Sequence, residues 1–304
     1  MKKSFTILLT VCILVSLFFF LQTTDLKVVV SLIQKTGFGF LLLLLITFIA
    51  YFFGTISWRF SLGEYSNSVS AGRLFLIRHV GETAGMLNPA SIIGGDALKA
   101  ILLSKYNIPE RKIVWSMLFS RGIMIISQVL LFGLTALTLA IPHPSLSPDK
   151  LFNGKQSGLY PLFLVTWKAI RAKFTGVLEE LPMMLRENSR MLMYACFFAL
   201  LHWVFGGLEF YFILKFLGIK VSLLHALLVD LGVVLFKAAG AFIPGQLGIE
   251  EYGNKIMLLA IGLPAEEIWV TASILRRARQ LFWIAFGVAV YFILFKKQQT
   301  SATT

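Results

Sequence analysis

The chain has 304 residues, 57% of them hydrophobic and only 14% charged, with a mean hydropathy of +0.80. A soluble domain carries roughly 25% charged residues, so this composition excludes one and implies an all-α, polytopic integral membrane protein. The net charge of +13 does not point to nucleic acid, because the Lys and Arg flank apolar spans, where they match cytoplasmic loops and anionic headgroups.

A first span is expected over residues 5–21, behind Lys2-Lys3. Gln22 to Asp25 make a poor small-residue cleavage site, so it reads as an uncleaved helix or signal anchor. A second span covers 38–60 and ends at Trp58-Arg59, an aromatic beside a basic anchor. Residues 71–87 are apolar but carry Arg73, Arg78, His79 and Glu82. Arg78 and Glu82 are four apart on one helical face, so each can neutralise the other. Asn88-Pro89 stops this helix. Gly94-Gly95-Asp96 then opens a short helix over 97–106, with Asp96 suited to an N-cap. Pro109 precedes a long span over about 112–141 that carries Arg121.

Residues 142–190 form a linker between halves. It contains a Pro/Ser/Gly-rich loop, a weak span candidate at 159–170 and an amphipathic stretch at 168–190. A second series follows. Residues 191–217 span with His202 and Glu209, and 221–243 span with His225, Asp230 and Lys237 before Pro244-Gly245. Residues 248–261 form a short helix headed by Glu250-Glu251. Residues 265–295 form the last long span, with Arg276, Arg277 and Arg279 inside it and a polar tail after Lys297. Cys12 and Cys196 both lie in apolar spans and define no disulfide framework.

The two series are related without a gap. A shift of 155 positions puts Gly85 on Gly240, Pro89 on Pro244, Asp96 on Glu251, Pro109 on Pro264 and Arg121 on Arg276. Pro, acid and Arg are rare in membrane helices, and breaks at matching points of two halves point to a transporter site. The flanking charges add orientation. The first long span starts at Arg111-Lys112 and ends without a positive charge, whereas its counterpart starts at Glu266-Glu267 and ends at Lys296-Lys297. Under the positive-inside rule the halves face opposite ways. The expectation is two inverted repeats, 38–141 and 191–295, containing broken or re-entrant helices, with both termini cytoplasmic.

Charged groups inside spans cost roughly 2.5–3.5 kcal/mol each on insertion scales, so their presence asks for a reason. Two readings stand. In one, Arg121 and Arg276 grip an anionic headgroup in a hydrated cavity, as the bidentate, permanently charged guanidinium suits phosphate. In the other, internal ion pairs hold the broken helices together. The candidate substrate-binding set is Arg78, Glu82, Asp96, Arg121, Asp230, Pro244, Gly245, Gly248, Glu250, Glu251, Arg276 and Arg277. The glycines at the breaks allow unusual φ and close backbone approach. No GxxxxGK[ST] loop, HExxH pair or GxSxG elbow is present, and the four histidines lack ligand spacing. No catalytic residue, metal or cofactor is therefore expected.

The segments GETAGMLNPASIIGGDALKA and IPERK with Arg121, and above all IPGQLGIEEYG with Arg276, resemble the lysylphosphatidylglycerol synthase transmembrane-region family. This is the flippase-like domain found alone or, in the multiple peptide resistance factor, fused to an aminoacyl-transferase. The resemblance covers about residues 1–297, and Pro244, Gly245, Leu247, Gly248 and Glu250 carry its most specific motif. It implies a membrane module that moves lipids or lipid-linked molecules between leaflets, with Glu82, Asp96, Arg121, Pro244, Gly245, Gly248, Glu250 and Arg276 as motif positions. Lysyl transfer is not implied, since these residues include no soluble transferase domain. The expected partner is a lipid with an anionic headgroup or a lipid-linked precursor, in the cytoplasmic (inner) membrane. Three functions remain open: a flippase, a non-transporting subunit that docks a lipid-modifying enzyme, and a membrane-embedded transferase acting on lipid-linked sugars. A homo-oligomer is equally open.

Overall fold

In a computed structural model, residues 26–87, 91–140, 189–239 and 248–301 are described. They form α1 (Leu26–Thr36), α2 (Phe38–Ser61), α3 (Ala71–Leu87), α4 (Ser91–Leu103), α5 (Glu110–Ala140), α6 (Ser189–Phe216), α7 (Leu223–Ala239), α8 (Ile249–Ala260) and α9 (Glu266–Ser301), with no strand among them. The first span at 5–21, the weak span at 159–170 and all but the last two residues of the amphipathic stretch at 168–190 lie outside the described residues, as do Pro244 and Gly245.

Three helices, Phe38–Ser61, Glu110–Leu139 and Ser189–Phe216, are long and apolar enough to cross a membrane. Their outward faces are apolar: Leu41, Leu45 and Phe48 on α2, Leu118, Ile126 and Leu134 on α5, and Phe197 on α6 are all exposed. Such a band belongs in hydrocarbon. α9 has 36 residues, ample length for a bilayer, but its arginines lower its hydropathy.

α2 and α6 form the centre and pack along each other. Hydroxyls inside this apolar body return to their own helix: Thr47 Oγ1 donates to Leu43 O at 2.9 Å and Thr55 Oγ1 to Tyr51 O at 2.9 Å. Others tie helices together, as expected where lipid supplies no hydrophobic drive between them. Ser57 Oγ donates to Ala195 O at 2.8 Å, Trp283 Nε1 to Thr47 Oγ1 at 2.9 Å and Trp203 Nε1 to Met124 O at 2.9 Å.

Around this centre each half builds its own core. One unites Trp58, Leu74, Ile77, Leu98, Leu103 and Ile113 of α2 to α5 with Val290 of α9. The other unites Phe210, Ile213, Val229, Leu258 and Leu275 of α6 to α9 with Leu43 of α2 and Leu139 of α5. Each core thus recruits the other half's long helix: α3 packs on α9, and α7 on α5.

Three boundaries differ from the sequence reading. α1 fills a stretch left without an element; its Lys27, Gln34 and Lys35 dilute the hydropathy signal. α4 starts at Ser91, so Asp96 lies in its second turn rather than at an N-cap. The helix tolerates Gly94-Gly95 because α3 and α4 touch there: a Cβ on Gly95 would sit 2.3 Å from Gly81 O. Lastly, α9 continues past Lys297 to Ser301.

Candidate functional site

Arg276 stands ten residues into α9, about 15 Å along its axis at 1.5 Å per residue, and is enclosed by counter-ions. Its Nη2 donates to Asp230 Oδ1 at 2.8 Å, and its Nε lies 3.0 Å from Glu250 Oε1. Glu250 Oε2 accepts from Lys237 Nζ at 3.0 Å. The guanidinium also covers the Phe210 ring at 5.3 Å. Asp230 reaches this point because residue 206 is Gly, where a Cβ would lie 2.7 Å from Asp230 Oδ2. The side chains of Arg276 and Asp230 are each only 5% exposed.

Neighbouring arginines have their own acids. Arg277 holds Glu251, and Glu251 caps α8 by accepting the Gly248 N–H at 2.8 Å. Gly248 has φ +80°, a conformation that suits glycine at this helix start. Arg279 Nε lies 3.0 Å from Glu209 Oε1, and its Nη1 donates to Tyr51 Oη at 3.2 Å.

The first half is built alike but balanced differently. Asp96 on α4 accepts Arg121 Nη2 on α5, 2.9 Å to Oδ1 and 2.8 Å to Oδ2, and Lys99 Nζ approaches Oδ1 at 3.4 Å. Arg78 Nε donates to Glu82 Oε1 at 2.6 Å. Lys99 threads over α3 at Gly81, where a Cβ would lie 2.3 Å from its Cγ.

The same device therefore occurs twice: an acid on the short helix holds an arginine on the following long helix. The structure pairs Asp96 with Arg121 and Glu250 with Arg276. The strict 155-residue shift instead matches Asp96 with Glu251, which goes to Arg277. Exposure separates the copies. Arg121 is 41% exposed and Glu82 38%, against 5% for Arg276.

Tyr51, near the middle of α2, joins the halves. Its backbone carbonyl accepts Arg78 Nη1 at 3.2 Å while its hydroxyl accepts Arg279 Nη1. His79 and Trp283 pack against its ring at 5.3 and 5.4 Å, and His202 Nδ1 meets the adjacent Ala50 O at 2.7 Å.

The structure thus brings Asp230, Glu250 and Arg276 into one network, joins Asp96 to Arg121, and keeps Arg78–Glu82 and Glu251–Arg277 as separate pairs. Sequence reasoning left Tyr51, Lys99, Glu209 and Arg279 out of the candidate set. Glu209 and Arg279 had a signal, since both are charges inside apolar spans; Tyr51 had none. Among the described residues no group of three or more His, Cys, Asp or Glu is placed to hold a metal ion. Chemically the arrangement offers fixed charge and hydrogen-bond donors.

The family model for the lysylphosphatidylglycerol synthase TM region matches residues 6–289, so the chain belongs to that family and is a membrane protein. It matches no curated protein and no solved structure.

Proposed function

We propose that this family member translocates a lipid, or a lipid-linked anionic amphiphile, between the leaflets of the cytoplasmic membrane. The observation that carries the reading is Arg121. It lies about 16 Å along α5 by helix rise, within a stretch apolar enough to span a membrane, and still exposes 41% of its side chain. A half-exposed guanidinium at such depth is costly unless a polar path reaches it. A headgroup oxyanion exchanging with Asp96 on Arg121 would use that path while the acyl chains stay against the apolar outer faces.

The recurrence of the short-helix acid and long-helix arginine supports two inverted repeats. So does the exchange of packing, α3 on α9 and α7 on α5, which a two-fold axis in the membrane plane would produce. In this reading no bond is made or broken by the protein, and no nucleotide motif drives it. Movement is facilitated, or coupled to protons through Glu82, Asp96, Asp230 or Glu250.

The test is translocation of fluorescent lipids by the purified chain in liposomes. Arg121→Ala should lower the rate by roughly tenfold or more, the worth of a charge-assisted contact. Full activity in that variant would remove the headgroup-grip mechanism. A chain that moves nothing alone but co-purifies with a lipid-modifying or glycosyl-transfer enzyme would favour the docking-subunit alternative.

A further inference from the structure

The two charge clusters have different sums. Among the described residues, Lys237, Arg276, Arg277 and Arg279 are matched one for one by Glu209, Asp230, Glu250 and Glu251. Among the described residues of the first half, Arg78, Lys99 and Arg121 meet only Glu82 and Asp96, which leaves one positive charge among them. Lys99 is the member that is shared. It approaches Asp96, which is already held by Arg121, at the longest distance of the set, 3.4 Å, while Glu82 is already held by Arg78. Its stem is fixed by the missing side chain at Gly81, and its ammonium stands 6.0 Å over the Trp58 ring. It is therefore fixed in a partly enclosed place, between two acids that already have partners.

We propose that this cluster is a subsite for one negative charge borne on a phosphodiester, touched by Arg121 and completed by the uncompensated charge of Lys99. Among the described residues Arg121 engages Asp96 through Nη2 alone and 41% of its side chain is exposed, which leaves the other donors of its fork for phosphate oxygens, whose geometry they match. One bound monoanion brings the cluster to neutrality, and a second enclosed negative charge would have no partner. The subsite therefore selects headgroups of net charge −1 over zwitterionic ones, whose own cation competes with Lys99, and over dianionic ones. The second-half network, already neutral and closed, takes no part in this selection. The biological role rests on the translocation reading, but the binding chemistry does not.

The experiment uses the full chain in phosphatidylcholine nanodiscs. Dissociation constants are measured for dihexanoyl phosphatidylglycerol, dihexanoyl phosphatidylcholine, dihexanoyl phosphatidic acid and inorganic phosphate. The phosphatidylglycerol probe should bind at least about tenfold tighter than the phosphatidylcholine probe. Lys99→Gln should erase that preference and Lys99→Arg should restore it. Glu82→Gln, which raises the surplus to two, should move the preference toward phosphatidic acid, a sign change that a merely structural role would not give. If Lys99→Gln does not purify, the more exposed Arg121→Gln carries the test. Unchanged phosphatidylglycerol binding in Lys99→Gln and Arg121→Gln overturns the subsite. Inorganic phosphate binding as tightly as phosphatidylglycerol overturns its assignment to a lipid headgroup. Selective binding with no movement in liposomes would leave the subsite standing and sink translocation; movement indifferent to both variants would do the reverse.

Discussion

Removing a guanidinium from the interior strands whatever carboxylates it held, whereas removing one that faces an opening leaves its partner to water. Arg276→Gln takes from Asp230 its guanidinium and leaves Glu250 paired with Lys237, and breaking a buried pair in this way costs about 3–5 kcal/mol. Arg121→Gln leaves Asp96 beside Lys99, and because the lost pair is 41% exposed on its arginine side it contributes less than the enclosed Arg276 pairs. Denaturation of the two variants in the same detergent should therefore show a large loss for Arg276→Gln and a small one for Arg121→Gln, with the transport defect falling on the second. Equal losses would mean that the two arginines do the same structural work. Repeat-related residues need not keep equivalent roles when the number of acids around them differs.

At the scale of elements, α3 and α9 approach closely at Gly287. A Cβ on Gly287 would lie 2.0 Å from Thr83 Oγ1 and 2.8 Å from Thr83 Cβ, so Gly287→Ala must push the helices apart. Overpacking of this kind costs about 1–3 kcal/mol. Thr83→Ala removes the nearer atom but not the Cβ, and should return part of that loss when combined with Gly287→Ala. A thermal-denaturation cycle should give a coupling of at least about 0.5 kcal/mol; strict additivity would place the strain elsewhere. This contact also shows where sequence reading stops. Hydropathy placed α2, α3, α5 and α6 closely, because a long apolar run bounded by Gly, Pro or Arg has few alternatives in a membrane. The spaced Pro, acid and Arg of the two series exposed Arg121 and Arg276. Nothing local, however, says that Thr83 sits on Gly287, or that Tyr51 accepts from Arg279 across 228 positions. Such contacts are set by how the helices are arranged, and a single sequence does not encode them in a readable period. Asp96 was misplaced for a related reason: Gly94-Gly95 reads as a break when their use as a packing surface against α3 is unseen.

For the whole molecule, the proposal of two oppositely oriented halves makes a statement about sides. α5 opens with Glu110 followed by Arg111 and Lys112 and ends without a basic residue in its last turn. α9 opens with Glu266 and Glu267 and carries Lys296-Lys297 toward its end. If basic flanks stay in the cytoplasm, the first residues of these matching helices would belong on opposite faces of the membrane. That arrangement would require an odd number of crossings between α5 and α6. With Cys12 and Cys196 replaced by Ala, single cysteines at Glu110→Cys and Glu266→Cys should react with a membrane-impermeant maleimide from opposite sides of sealed vesicles. With that result the halves could rock about a shared centre as inverted repeats do, each presenting its break to a different leaflet. Labelling of both cysteines from one side would make the halves parallel. The α3–α9 and α7–α5 contacts would then be ordinary helix packing, and Arg121 would serve a site open to a single leaflet.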